Sequence, residues 1–318
     1  MNLKDCKVAI TGGAGFVGSH LAEVLVSKGC SSIKILDDLS TGFLENINYL
    51  LKRGFVEFIK GDVRDPEACL KVLEDADIVF HEAAQINPVR AVEDPLFDFD
   101  VNARGTLTLL EACRKKDVSK FLLAATNVYA NPKYLPIDEN HPIDLLSPYA
   151  ASKLSAEAYC IVYSNSYGID TTRLRYTNIY GPRQRSTKSE SGVITIYIER
   201  ALKGLPPIIF GDGEQTRDFV YISDVVSANI LAAESSNTRG EVFNIGYGKE
   251  TSVNELAKAI LKIVGKESLN PEYGPARAAD FRRCAVSTAK AKKTFGFEPQ
   301  TSLEDGLRRT IEWWKSLR

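Results

Sequence analysis

Val8-Ala9-Ile10-Thr11-Gly12-Gly13-Ala14-Gly15-Phe16-Val17-Gly18 joins a short β-branched run to three spaced glycines, and helical periodicity follows at once. Gly12 permits a tight turn. Gly15 lets the backbone approach a pyrophosphate, and Gly18 lets the helix pack on the sheet, so that the first helical amides, at Phe16 and Val17, face phosphate oxygens. After a second apolar run, Ile33-Lys34-Ile35-Leu36, Asp37 stands at about the 20-residue offset where a carboxylate accepts both ribose hydroxyls and repels a 2′-phosphate. The pattern predicts a dinucleotide site that takes NAD rather than NADP. Asp62, beside Val63 at the end of a third strand, is a candidate acceptor for the adenine amine, although an Asp there also serves turns and caps.

Outward from this stretch, strands are expected at 7–11, 33–36, 55–60, 77–80, 121–125 and 171–175, with helices near 16–28, 66–73, 95–115 and 148–167. Such alternation predicts an α/β fold, a doubly wound parallel sheet whose crossovers are helices. Residues 1–175 read as this NAD-binding domain and 176–318 as a smaller, interleaved substrate-binding region, some of whose segments are expected to return to the sheet. There, Ser223, Ser252 and Ser302 each precede helical periodicity, as N-caps do.

Of 318 residues, 40 are Lys or Arg and 41 Asp or Glu, a formal charge of −1 that offers no field for nucleic acid or an anionic membrane. An anionic ligand must therefore be held locally. No apolar run of about 18 residues suggests a spanning helix, and no signal-peptide pattern precedes Val8, so a cytoplasmic protein is expected. Six scattered cysteines and three unclustered histidines argue for reduced thiols and no metal site.

Tyr149-Ala150-Ala151-Ser152-Lys153 sets a phenol and an ammonium at i and i+4, on one helix face. Tyrosine with its usual pKa of about 10 is a poor base at neutral pH, but a neighbouring Lys⁺ and a nicotinamide cation favour the phenolate. Tyr149 is the candidate general base, with Lys153 beside it.

Taken with Leu36-Asp37-Asp38-Leu39-Ser40-Thr41-Gly42, His81-Glu82-Ala83-Ala84-Gln85, Val101-Asn102-Ala103-Arg104-Gly105-Thr106, Leu174 through Gln184 and Thr216 through Val225, the chain resembles the extended short-chain dehydrogenase/reductases, in their nucleotide-sugar epimerase branch. The resemblance implies that Asp38, Ser40, Thr41, Gly42, Ala83, Ala84 and Gln85 border the cofactor with the glycine turn. It further implies that Asn102 steadies the helix of Tyr149 and that Tyr176 lies near the nicotinamide. Asn87, Asn178, Arg183, Arg217, Arg277 and Asp280 are then substrate residues, the arginines suited to diphosphate oxygens. Cys284, seven after Arg277, would border the sugar, where a small side chain leaves room for a 2-acetamido group. A homodimer is implied through 95–115 and 148–167, with Leu107, Leu110, Ala156, Tyr159 and Tyr163 as apolar candidates.

The expected reaction is NAD-dependent epimerisation at C4 of a nucleotide-diphosphate hexose, UDP-glucose or UDP-galactose and the N-acetylated forms. One departure stands out. The family's hydroxyl four residues before Tyr129 is replaced by Ala125. Either Thr126 takes over, or proton transfer relies on Tyr149 alone, or the chain is an inactive form. A 4,6-dehydratase or decarboxylase needs an acid where Asn127 stands, and a non-catalytic NAD-binding scaffold is the remaining alternative.

Overall fold

The computed structural model describes residues 2–185, 192–276 and 281–317. β1 (Lys7–Thr11), β2 (Ser32–Asp37), β3 (Val56–Lys60), β4 (Ile78–His81), β5 (Lys120–Thr126) and β6 (Asp170–Tyr176) lie parallel in the order β6-β5-β4-β1-β2-β3. Between and after them run α1 (Phe16–Ser27), α2 (Asn48–Leu51), α3 (Pro66–Val72), α4 (Pro88–Glu93), α5 (Pro95–Phe99), α6 (Gly105–Lys115) and α7 (Pro148–Tyr167). Strands buried on both faces need a layer of helices on each. Val8, Ile10, Ile33, Ile35 and Phe80 pack with Leu21 and Leu25 of α1. On the opposite face Ala9, Val79, Phe121 and Leu123 pack with Val72, Leu110, Cys113 and Ala156 of α3, α6 and α7. The strand order reverses between β1 and β4, and open sheets of this kind bind ligands in the crevice at that switch.

Past Tyr176 come β7 (Asn178–Tyr180), α8 (Val193–Leu202), β8 (Ile208–Phe210), β9 (Thr216–Arg217), β10 (Phe219–Tyr221), α9 (Ile222–Glu234), β11 (Val242–Ile245) and α10 (Val253–Val264). β11 pairs in parallel with β6 as a seventh strand, and α9 packs on α1. These two elements return to the nucleotide-binding layer, while β7 with β10, and α8 with α10, build a lobe beside the cavity.

Several expectations are corrected. The helix expected over 95–115 is broken into α5, a π-turn at Asp100–Arg104 and α6, and α4 precedes it. α9 starts at Ile222 with no side-chain cap, so Ser223 is not its N-cap, whereas Ser252 makes a full capping box with Glu255 and Ser302 caps the helix Leu303–Ser316. Of the apolar candidates for a dimer face, Leu110, Ala156 and Tyr163 are buried in the chain's own core, since α6 and α7 turn them onto the sheet. α5 and α7 leave Leu96, Phe99, Tyr159, Ile161, Val162 and Tyr167 exposed.

Candidate active site

The C-terminal ends of β1, β4, β5 and β6 open into one cavity of about 1610 Å³. A single small-molecule site typically takes roughly 300–1,000 Å³, so this one has room for two ligands side by side. At one end Gly12 turns with φ +69°, and a Cβ there would lie 2.7 Å from the Ala83 nitrogen. Gly18 is equally constrained, because its Cβ would stand 2.4 Å from the Gly12 carbonyl oxygen. Gly12, Gly15, Phe16, Val17 and Gly18 all line the cavity.

Asp37 closes β2 and is nearly buried. Its carboxylate accepts from the amides of Ala14 (3.0 Å) and Leu39 (2.8 Å), so burial pushes its pKa up while these amides hold it down. Asp38, Ser40, Thr41, Asp62, Val63, Ala83 and Ala84 also line the cavity. Gly42 does not, but it fits tightly against Asp37, where a Cβ would meet the carboxylate at 2.8 Å. Burial raises Asp62 less than Arg64 lowers it, because that guanidinium grips both carboxylate oxygens, so Asp62 faces the cavity already paired. Gln85 is displaced from the cofactor assignment. It is buried off the cavity, donating to Asp98 (2.6 Å) and to the Asn87 carbonyl (3.0 Å), and so braces the loop after β4.

At the other end the cavity floor carries Tyr149 and Lys153 from α7, Thr126 from β5 and Tyr176 from β6. Ser147 caps α7 by accepting from the Ala150 amide, which starts the helix one residue before Tyr149 is needed. Burial pushes the Tyr149 phenol above its usual value; the Thr126 hydroxyl opposes this, and Asp98 adds to it. The phenol therefore needs a cation beside it to serve as a base. Lys153 is only 3 % exposed, and desolvation lowers its ammonium to about 8, partly offset by Glu82 and Glu157. Among the described residues that ammonium has neither an ion pair nor a hydrogen-bond acceptor, although it lines the cavity. A buried donor left in this way suits the hydroxyls of a nicotinamide ribose.

Asn102 lies behind the floor in the π-turn. Its amide donates to the Gln85 carbonyl (3.0 Å) and to Ser152 Oγ (3.1 Å), and Ser152 Oγ donates to Asp98 (2.5 Å), which ties α7 to the loop after β4. Sequence reasoning passed over Ser152 and Asp98, whose partners are far away in the chain. It also passed over a buried group one turn beyond Lys153. There Glu157 accepts a bidentate pair from Arg175 of β6 (2.8 and 2.7 Å), and Arg175 also donates to Tyr129.

Of the substrate candidates, Asn87, Asn178 and Arg217 line the cavity. Asn87 caps α4, and Arg217 lays its guanidinium 3.8 Å from the centroid of the Phe281 ring. Arg183 is corrected: its guanidinium turns to Glu23 of α1 (2.7 Å) and to the Tyr49 ring, away from the cavity lining. Arg277 and Asp280 lie outside the described residues. Cys284 is fully buried and does not line the cavity; it accepts from Asn127 Nδ2 at 2.9 Å and bears on the cavity only through that amide. Asn127 Oδ1 accepts from the Tyr129 amide (3.1 Å), so both ends of the side chain are engaged.

The model of the NAD dependent epimerase/dehydratase family matches residues 8–246. The UDP-glucose 4-epimerase of Mycolicibacterium smegmatis is 38% identical over 313 residues, which cover 98% of this chain and 99% of that protein. The structure of UDP-glucose 4-epimerase from Thermotoga maritima with UDP-glucose superposes with a TM-score of 0.92 at 40% identity, covering 98% of this chain and all of that one. The UDP-N-acetylglucosamine 4-epimerase from Methanobrevibacter ruminantium, in complex with UDP-N-acetylmuramic acid, superposes with a TM-score of 0.93 at 34% identity, covering 99% of this chain and 100% of its own.

Proposed function

The chain belongs to the NAD dependent epimerase/dehydratase family, and from that premise we propose that it interconverts the C4 epimers of a UDP-hexose, UDP-glucose and UDP-galactose first and their N-acetylated forms as well. The observation that carries the reading is Tyr149, set one helical turn from the ammonium of Lys153 and sharing with Thr126 the floor of a cavity wide enough for dinucleotide and nucleotide sugar together. Thr126, on the same floor, is the hydroxyl we assign in place of the one missing at Ala125.

NAD, when bound, supplies the acceptor and donor of hydride. The amides of Gly12 to Gly18 would hold its pyrophosphate, Asp37 with Ser40 and Thr41 the adenosine ribose, and Lys153 the other ribose. Lys153 stabilises the Tyr149 phenolate, which takes the proton of the sugar 4-hydroxyl as the C4 hydrogen leaves. The 4-keto sugar turns over in the cavity, and C4 and its oxygen regain hydrogen and proton on the other face. Arg217 holds the diphosphate, with Asn178 beside it, while that turn takes place.

Asn127 weighs against the lyase reading. An amide cannot take up a proton at neutral pH, and this one already spends both ends on Cys284 and the Tyr129 amide. The intact Tyr149, Lys153 and Thr126 weigh against a scaffold. Among the described residues no helix is long and apolar enough to cross a membrane; with six free thiols, a cytoplasmic enzyme is the reading we adopt. We place a homodimer contact on Leu96, Phe99, Tyr159 and Val162. A screen of UDP-, dTDP- and GDP-sugars with products identified by NMR tests substrate and reaction together: C4 epimers of the UDP-hexoses are expected, and 6-deoxy-4-keto or decarboxylated products would overturn the assignment.

A further inference from the structure

Two carboxylates act on Lys153, the buried Glu157 and the half-buried Glu82, and they differ in how their charge is met. Glu157 is taken up by Arg175 in a bidentate pair, with Arg173 3.9 Å away. Glu82 has no guanidinium. Its Oε1 accepts from the Tyr176 hydroxyl at 3.1 Å, and that hydroxyl is fixed in turn by Asn229 Nδ2 at 2.8 Å. Glu82 lines the cavity at the end of β4. On one side its backbone abuts Gly12, whose Cβ would meet the Glu82 carbonyl carbon at 2.9 Å. On the other side stand Tyr176 and Lys153. A dinucleotide whose pyrophosphate takes the glycine turn must pass Glu82 to bring its nicotinamide to Tyr149.

We propose that the Glu82 carboxylate, held in place by the Tyr176 hydroxyl, biases the cavity floor toward the oxidised cofactor. NAD⁺ carries a positive ring and NADH a neutral one, so a fixed anion that is screened by no partner guanidinium favours NAD⁺. An epimerase benefits from this bias. The resting enzyme must hold NAD⁺ to start a cycle, and an enzyme left with NADH after a 4-keto sugar escapes cannot oxidise the next substrate. The groups that face Glu82 are Lys153 from α7 and Tyr176 from β6; His81, the preceding residue, is kept neutral by burial, which lowers it to about 3. Burial raises the Glu82 carboxyl to about 7, against the Tyr176 hydrogen bond and Lys153, so its charge is present above that pH and lost below it.

The inference rests on the family's cofactor and not on which sugar is turned over, so a failure of the substrate assignment leaves it standing. Holoenzymes of the wild type, Glu82→Gln and Glu82→Asp are equilibrated with NAD⁺ and NADH in a fixed ratio. After removal of free nucleotide, the bound ratio is read from reduced-nicotinamide absorbance. At neutral pH Glu82→Gln should hold about tenfold more NADH relative to NAD⁺ than the wild type, the size expected of one charge beside a ligand under the strong screening of a water-open cavity. Glu82→Asp should stay on the wild-type side. In the wild type the preference for NAD⁺ should grow between about pH 6 and 7.5 as Glu82 ionises, with Lys153 still charged over most of that range. This second arm needs no variant. A wild-type ratio flat over that range, or an unchanged ratio in a folded Glu82→Gln protein, overturns the proposal.

Discussion

In the proposed reaction Thr126 is the residue whose substitution is most telling. Its hydroxyl lowers the Tyr149 pKa that burial raises, so Thr126→Ala should move the acid limb of the kcat/KM profile to higher pH and cut turnover at neutral pH by about 10²-fold. The sign follows from the direction of that effect: the phenolate is the working form, and losing a hydroxyl that favours it makes it scarcer. A profile that stays in place would show that the hydroxyl does not reach the reacting proton. Tyr149→Phe should lower turnover by a further one to two orders of magnitude, about 10³–10⁴ in all, because it removes the base itself, while NAD content measured after denaturation stays near that of the wild type. Both residues could be picked out along the chain, Tyr149 by its spacing from Lys153 and Thr126 by the missing hydroxyl at Ala125. Arg183 was misread because its partner Glu23 is 160 positions away in sequence, and nothing local announces a guanidinium that turns back to α1.

At the scale of elements, the working helix is held from beneath. Glu157 and Arg175 join α7 to β6 out of reach of water, so Glu157→Gln leaves a buried guanidinium half-paired and should cost about 3–5 kcal/mol in urea unfolding. A loss below about 1 kcal/mol would mean that Tyr129 and solvent absorb the charge. β1 to β6 and α7 were legible because β-branched runs and a 20-residue helical period repeat often enough to outweigh local noise. β11 escaped because Val-Phe-Asn-Ile is four residues between glycines, and its pairing with β6 is a long-range fact. α4 and the π-turn escaped for a related reason. Pro88 and Pro95 each begin a short helix in a stretch that reads as one long period, and it is Asn102, bonded to Gln85 and Ser152, that sits in the turn opened between α5 and α6.

At the scale of the whole molecule, α5 and α7 pack together and leave Leu96, Phe99, Tyr159 and Val162 exposed. If two copies cover these side chains, Val162→Asp should halve the mass measured by light scattering at micromolar concentration, since a charge in a buried contact is costly. A dimer that persists would place the contact elsewhere. The central claim is that hydrogen leaves C4 and returns to C4 without leaving the cavity. It is tested most directly with UDP-glucose carrying deuterium at C4 and the product followed by NMR. UDP-galactose should keep its deuterium at C4, with none in solvent; loss of the label from C4, or its appearance at C6 of a 4-keto product, would rule out direct return of the C4 hydrogen.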